Sequence, residues 1–238
     1  MELFAILLVP LLLAVAVPHE LAHLLAARRL GIGVLEFGLG LPPAAVAVER
    51  WGIRWSVCWL LPLGAFVRLK GESGGDQPDD FAARPAHQQA LVLLAGPLAN
   101  LVVAALAAGI FLAVYGQPKL PHASLQPTAG VVGWLGLAQV MNELAPLGIP
   151  PAGWFLALLA CLSLGLGASN LLPLLPLDGG RLALAVVGSW RQRLTNPQSR
   201  QVRLANVTGL VLLVGVMLAV NAVDLARFVQ GQPVLVAR

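Results

Sequence analysis

Charge is scarce in this chain. Only 11% of its 238 residues are Asp, Glu, Lys or Arg, against 58% hydrophobic, and the mean hydropathy is +0.82. That balance excludes an ordinary soluble domain, in which about a quarter of residues are charged. Cysteine is nearly missing as well. Cys58 and Cys161 lie far apart in apolar surroundings with no C-x-x-C partner, so neither a disulfide framework nor a thiolate zinc site is indicated. A continuous basic face is also lacking. The net charge of +4 comes from Lys and Arg grouped beside apolar runs, a pattern of membrane topology, and nucleic acid is not an expected partner. Finally, no basic residue precedes the first apolar run. Although Ala14-Val15-Ala16 resembles a leader cleavage site, Arg28 and Arg29 follow the run, which therefore reads as a retained first transmembrane helix.

Long apolar stretches are what the chain has in abundance. Four are long enough to span a bilayer, over about residues 3–27, 90–115, 152–175 and 205–223. Lys and Arg divide unevenly between the connections: seven lie between spans one and two, five between spans three and four, and three elsewhere. By the positive-inside rule the two basic connections face the cytoplasm and both chain ends face outward. Between the first two spans, within about residues 33–70, VLEFGLG, AAVAVER, IRWSVCWL and AFVRLKG are strand-like pieces divided by Pro42-Pro43 and by Pro62 to Gly64. The expected fold is an α-helical integral membrane protein. It has about four transmembrane helices, a small membrane-associated β-sheet between the first and second, and one domain over 1–238.

Inside the first span stands HELAH, residues 19 to 23. One helical turn separates His19 from His23, so both imidazoles project from one face toward a single metal ion, with Glu20 offset to act on water. Ionisable groups at membrane depth face a protein or water cavity and mark functional sites. From Leu3 to His19 the helix rises about 24 Å, which puts the motif toward the cytoplasmic side. Asp178 follows the third span at similar depth. Pro173 and Pro176 should unwind the segment before it, and Gly179-Gly180 should permit a sharp turn after it. Asp178 is thus the natural third ligand, although by itself an L-D-G-G sequence is also an ordinary turn. Glu143 and Asp224 belong to the opposite side on this topology.

With these residues in place, the chain resembles the site-2 proteases, intramembrane zinc metalloproteases that cleave membrane-bound regulators. HELAH, FGLG at 37 to 40, PLGAFVRLKGE at 62 to 72, AGPLAN at 95 to 100 and NLLPLLPLDGGR at 170 to 181 carry the resemblance over nearly the whole length. It implies one zinc ion held by His19, His23 and Asp178, Glu20 as the base that activates water, and Asn170 as a residue that holds the substrate or its oxyanion. A transmembrane protein or peptide as substrate and a bacterial plasma membrane as location are implied too. The pattern is similar to the bacterial branch that processes anti-sigma factors, but Gly116 to Pro151, 36 residues, is too short for the PDZ module usual there. Residues 129–148 read instead as an interfacial or re-entrant segment that covers the active-site opening. The polar stretch 71–85 reads as a mobile connector. From another functional class, a non-proteolytic membrane metal-binding protein or transporter would also explain buried His and Asp, though it would not need Glu20.

Overall fold

In the computed structural model, residues 2–72, 74–116, 125–127, 133–144, 148–186, 200–233 and 235–237 are described. The elements in chain order are α1 (Glu2–Arg29), β1 (Val34–Arg50), β2 (Ile53–Leu69), a 3-10 turn (Phe81–Ala83), α2 (Ala86–Tyr115), β3 (Leu125–Pro127), α3 (Trp134–Glu143), α4 (Pro151–Asn170), α5 (Asp178–Val186), α6 (Arg200–Val229) and β4 (Leu235–Ala237). Four helices are long and apolar enough to cross a membrane, over Ile6–Arg29, Ala86–Tyr115, Pro151–Asn170 and Arg203–Val229. Together they make this a multi-pass membrane protein. On α6 the exposed Val207, Leu210, Val211, Val214 and Leu218 form an apolar surface suited to acyl chains.

α1 stops at a glycine. Gly31 takes a φ of 69°, a left-handed conformation that costs glycine little, and Ile32 N–H reaches back to Ala27 O at 2.9 Å. That reversal feeds the chain straight into β1. β1 and β2 are both long and bent, so residues 36–39 have antiparallel partners at 65–68 and a second set, rising in the same direction, at 54–57; 54–57 in turn pairs antiparallel with 46–49. Laterally the order is therefore 65–69, 34–39, 53–58, 44–50, which leaves 65–69 at one edge. Glu36 holds neighbouring segments together: it accepts from Ser56 Oγ at 2.8 Å and pairs with Arg68 at 3.2 Å. Leu41, Val46, Val48, Trp59 and Leu60 remain exposed and give this sheet an apolar surface.

The main core lies where this sheet meets α1, α2 and α5. Leu24, Ala27, Ile32, Val34, Phe37, Leu69, Val92, Leu93 and Ala185 are buried there together. A second cluster joins Leu11 of α1, Met141 of α3, and Trp154 and Leu158 of α4. α3 is the described part of the segment read as a cover for the active-site opening. It packs at Leu11, eight residues and so about 12 Å along α1 from His19.

The third apolar stretch ends as a helix at Asn170, five residues before its expected limit. Pro173 and Pro176 supply no backbone donor, so residues 171–177 run as turns, with Leu174 N–H on Leu172 O at 2.7 Å and Leu177 N–H on Leu174 O at 2.9 Å. Asp178 then opens α5. The two glycines after it serve close packing rather than a sharp turn. A Cβ on Gly179 would strike the carbonyls of Leu171 and Leu172, and one on Gly180 would meet Leu174 at 2.5 Å.

The described residues on either side of position 73 in the connector make tertiary contacts. Gly33 N–H donates to Asp79 O at 2.9 Å, Lys70 Nζ to Asp79 Oδ1 at 2.6 Å, and Gln77 N–H to Asp80 Oδ2 at 3.0 Å. Its Glu72 carboxylate pairs with Arg181 of α5.

Candidate metal centre

α1 presents His19 and His23 one turn apart, both about 5% exposed. Their Nε2 atoms are 3.2 Å apart, and Asp178 Oδ2 lies 3.1 Å from the first and 3.2 Å from the second. Among the described residues these three form the group able to hold a metal ion. Their triangle tests the fit. Ligands about 2.0–2.1 Å from a tetrahedral zinc ion are separated by about 3.3 Å, so the observed edges suit a shared ion with a fourth position open.

Surrounding groups orient these side chains. His23 Nδ1 donates to Val92 O of α2 at 2.7 Å, which leaves Nε2 with its lone pair directed at the centre. The Asn100 amide lies 3.2 Å from His19 Nδ1. Between them on α2, Gly96 leaves the room: a Cβ there would meet both Nε2 atoms, at 2.7 Å for His19 and closer for His23. Glu20 projects beside the histidines, and its Oε2 accepts from the Val67 backbone N–H at 3.0 Å.

His19, Glu20, His23 and Asp178 line one cavity of about 370 Å³, together with Ala65, Phe66 and Val67 of the edge strand, Asn170, and the Glu72 and Arg181 pair. Asn170 donates one amide hydrogen to Leu166 O at 3.1 Å, the helix carbonyl one turn back. No described residue of α3 is among those lining the cavity. Glu143 and Asp224 are not in the ligand group, and Asp224 instead accepts from Gly133 N–H and Gly136 N–H at the start of α3.

Sequence reasoning did not single out Val92, Gly96, Asn100 or the Glu72–Arg181 pair. For the first three the signal is their spacing: residues four apart on a helix share a face, and 92, 96 and 100 do so on a span that packs on α1.

Fold and site together define a multi-pass membrane protein with a His, His and Asp centre set between its helices and backed by a β-edge. The chain belongs to peptidase family M50, the site-2 protease family, whose profile matches residues 6–216. It is similar to a protein of Chlamydia trachomatis named "Putative zinc metalloprotease", 34% identical over an alignment 130 residues long that covers 49% of this chain and 20% of that protein. It is also similar to Metalloprotease MmpA of Caulobacter vibrioides, 30% identical over an alignment 143 residues long that covers 49% of this chain and 36% of that protein. The chain thus spans about a third or less of the length of these curated relatives.

Proposed function

We propose that this chain is an intramembrane zinc endopeptidase that cuts peptide bonds in or near transmembrane segments of membrane-bound substrates, in the service of regulated proteolysis. One observation carries the reading. Two imidazole nitrogens and a carboxylate oxygen converge within 3.2 Å of one another, with Glu20 beside them in the same cavity. His19, His23 and Asp178 would hold one zinc ion, which supplies the Lewis acidity that polarises a scissile carbonyl and acidifies water. Glu20 takes the proton of the attacking water and returns it to the leaving nitrogen. Asn170, on the cavity wall, holds the substrate chain or its oxyanion. The edge strand 65–69 receives the substrate in extended form, because a helical substrate ties its carbonyls into its own hydrogen bonds.

The catalytic unit extends over the whole chain and sits in a bacterial plasma membrane, with the basic connections in the cytoplasm. A cysteine at Asp76, in a background lacking Cys58 and Cys161, should react with impermeant thiol reagents only in opened cells. Labelling in intact cells would reverse the topology.

The decisive variant is Glu20→Gln, reconstituted in lipid with a single-span reporter peptide. Zinc content should stay near one per chain while cleavage falls by about 10²–10⁴-fold. Undiminished turnover would refute the assigned chemistry. Membrane proteins that accumulate uncut in cells carrying this variant would identify the substrates.

A further inference from the structure

We propose that Asn100 is the positioning residue of the metal centre. Its amide oxygen accepts the Nδ1 proton of His19, and this keeps His19 Nε2 unprotonated and aimed at the ion. The proposal rests on the reading of His19, His23 and Asp178 as metal ligands.

The two histidines have the same task and need the same support. A neutral imidazole carries its proton on one nitrogen only, so a lone pair at Nε2 requires Nδ1–H and something to accept it. For His23 the acceptor is a backbone carbonyl, Val92 O at 2.7 Å. For His19 the group in the corresponding place is the Asn100 amide, 3.2 Å away and 0% exposed. An amide has a donor end and an acceptor end of nearly equal shape. With its nitrogen toward the imidazole, Nδ1 must be the acceptor and the proton moves to Nε2, into the space between His23 Nε2 and Asp178 Oδ2. In that arrangement the Asn100 oxygen is left buried without a partner. Turning the amide about its last bond satisfies this oxygen with Nδ1–H and frees the Nε2 lone pair. Metal binding and amide orientation are therefore linked.

The surroundings hold Asn100 in place. It lies on α2 two turns after Val92 and one after Gly96, so one helix face supplies the acceptor for each histidine and the gap between them. From the other side α4 packs closely enough that a Cβ on Gly167 would meet Pro97 O at 3.0 Å and Asn100 Cβ at 3.3 Å. Losing such a partner of a metal-bound histidine lowers metal affinity by about 10–100-fold.

The test is zinc affinity by chelator competition at pH 8, on the full chain in lipid nanodiscs, for the parent protein, Asn100→Leu, Asn100→Asp and His19→Ala. Leucine keeps the volume and removes the acceptor, so affinity should fall by about 10–100-fold. Aspartate keeps the acceptor and removes the donor, and should bind zinc at least as tightly as the parent. A purely packing role predicts parent-like affinity for Asn100→Leu, and a donor role predicts a loss in both variants. If Asn100→Leu binds zinc like the parent while His19→Ala does not, the positioning role is overturned and the metal centre stands. If His19→Ala binds like the parent, both fall. Should Asn100→Leu fail to fold, Asn100→Asp decides alone, since a tenfold loss there would eliminate the acceptor role.

Discussion

The backbone N–H of Val67 donates to Glu20 Oε2 at 3.0 Å, so the edge strand of the sheet holds the side chain read as the catalytic base. That hydrogen bond shows which way the strand's edge faces. Outward-pointing amides alternate along a strand, so the Ala65 N–H is expected on the same side as that of Val67, and Ala65 also lines the cavity. Val67 is thus already engaged within the protein, and on the proposed reading Ala65 would be the donor to a substrate strand.

Ala65→Pro should slow cleavage by about tenfold, the worth of roughly one backbone hydrogen bond, with zinc content unchanged. Val67→Pro should be worse, because it removes the donor to Glu20 as well. Rates on a reporter peptide and metal analysis of both variants check this, and a wild-type rate for Ala65→Pro would exclude pairing along that edge.

Asp178→Ala should lower zinc occupancy and abolish activity, whereas Glu143→Ala should spare both. Asp178 Oδ2 lies within 3.2 Å of both imidazoles, while Glu143 ends α3, the helix whose Met141 packs beside Leu11. Metal content of the two purified variants separates them. Retained zinc in Asp178→Ala with loss in Glu143→Ala would require another ligand set.

Gly96→Ala places a methyl group against the ligand nitrogens themselves, at 2.7 Å from His19 Nε2 and closer to His23 Nε2. Alanine favours a helix by about 1 kcal/mol over glycine, so α2 should form as before. Zinc binding should weaken by at least about 100-fold through displaced imidazoles, with helical content by circular dichroism unchanged. Parent-like zinc affinity would show that the ion sits elsewhere.

Lys70 and Asp79 predict a pH window for the 71–80 connector. Their hydrogen bond raises the Lys70 pKa above its ordinary value and lowers that of Asp79. The Asp79 contribution is present above its unfolded value near 3.8 and is lost as pH falls through the depressed value. The Lys70 contribution is present below 10.5 and is lost as pH rises through the raised one. Amide exchange in residues 74–80 should therefore be slow between about pH 4 and 10, relative to the intrinsic rate, and faster below and above. Both groups are exposed, so high salt should weaken the protection. Protection that persists at pH 2.5 in Asp79→Asn and parent alike would remove the pair from the account.

The chain's own order of residues determined a good deal. Apolar length set the four spans, since a bilayer admits only helices that satisfy their backbone internally, and the one-turn spacing of His19 and His23 made them a pair before any packing was known. Pro173 and Pro176 dictated the break before Asp178, because neither has a donor to continue α4. Tertiary structure decided what depends on separate elements meeting. That Asp178 closes a triangle with two histidines more than 150 residues away follows from the contact of α5 with the turn of α1, which no local pattern encodes. Which strand lies at the edge was equally hidden, since four strand-like pieces of similar composition permit several lateral orders and only the bent ladders select one. Composition records the charge of the polar connector but not its partners, and those, Gly33 and Arg181, lie far along the chain. Gly96 and Asn100 were visible within AGPLAN but without a role, since a small residue and an amide on an apolar helix acquire meaning only from the imidazoles packed against them.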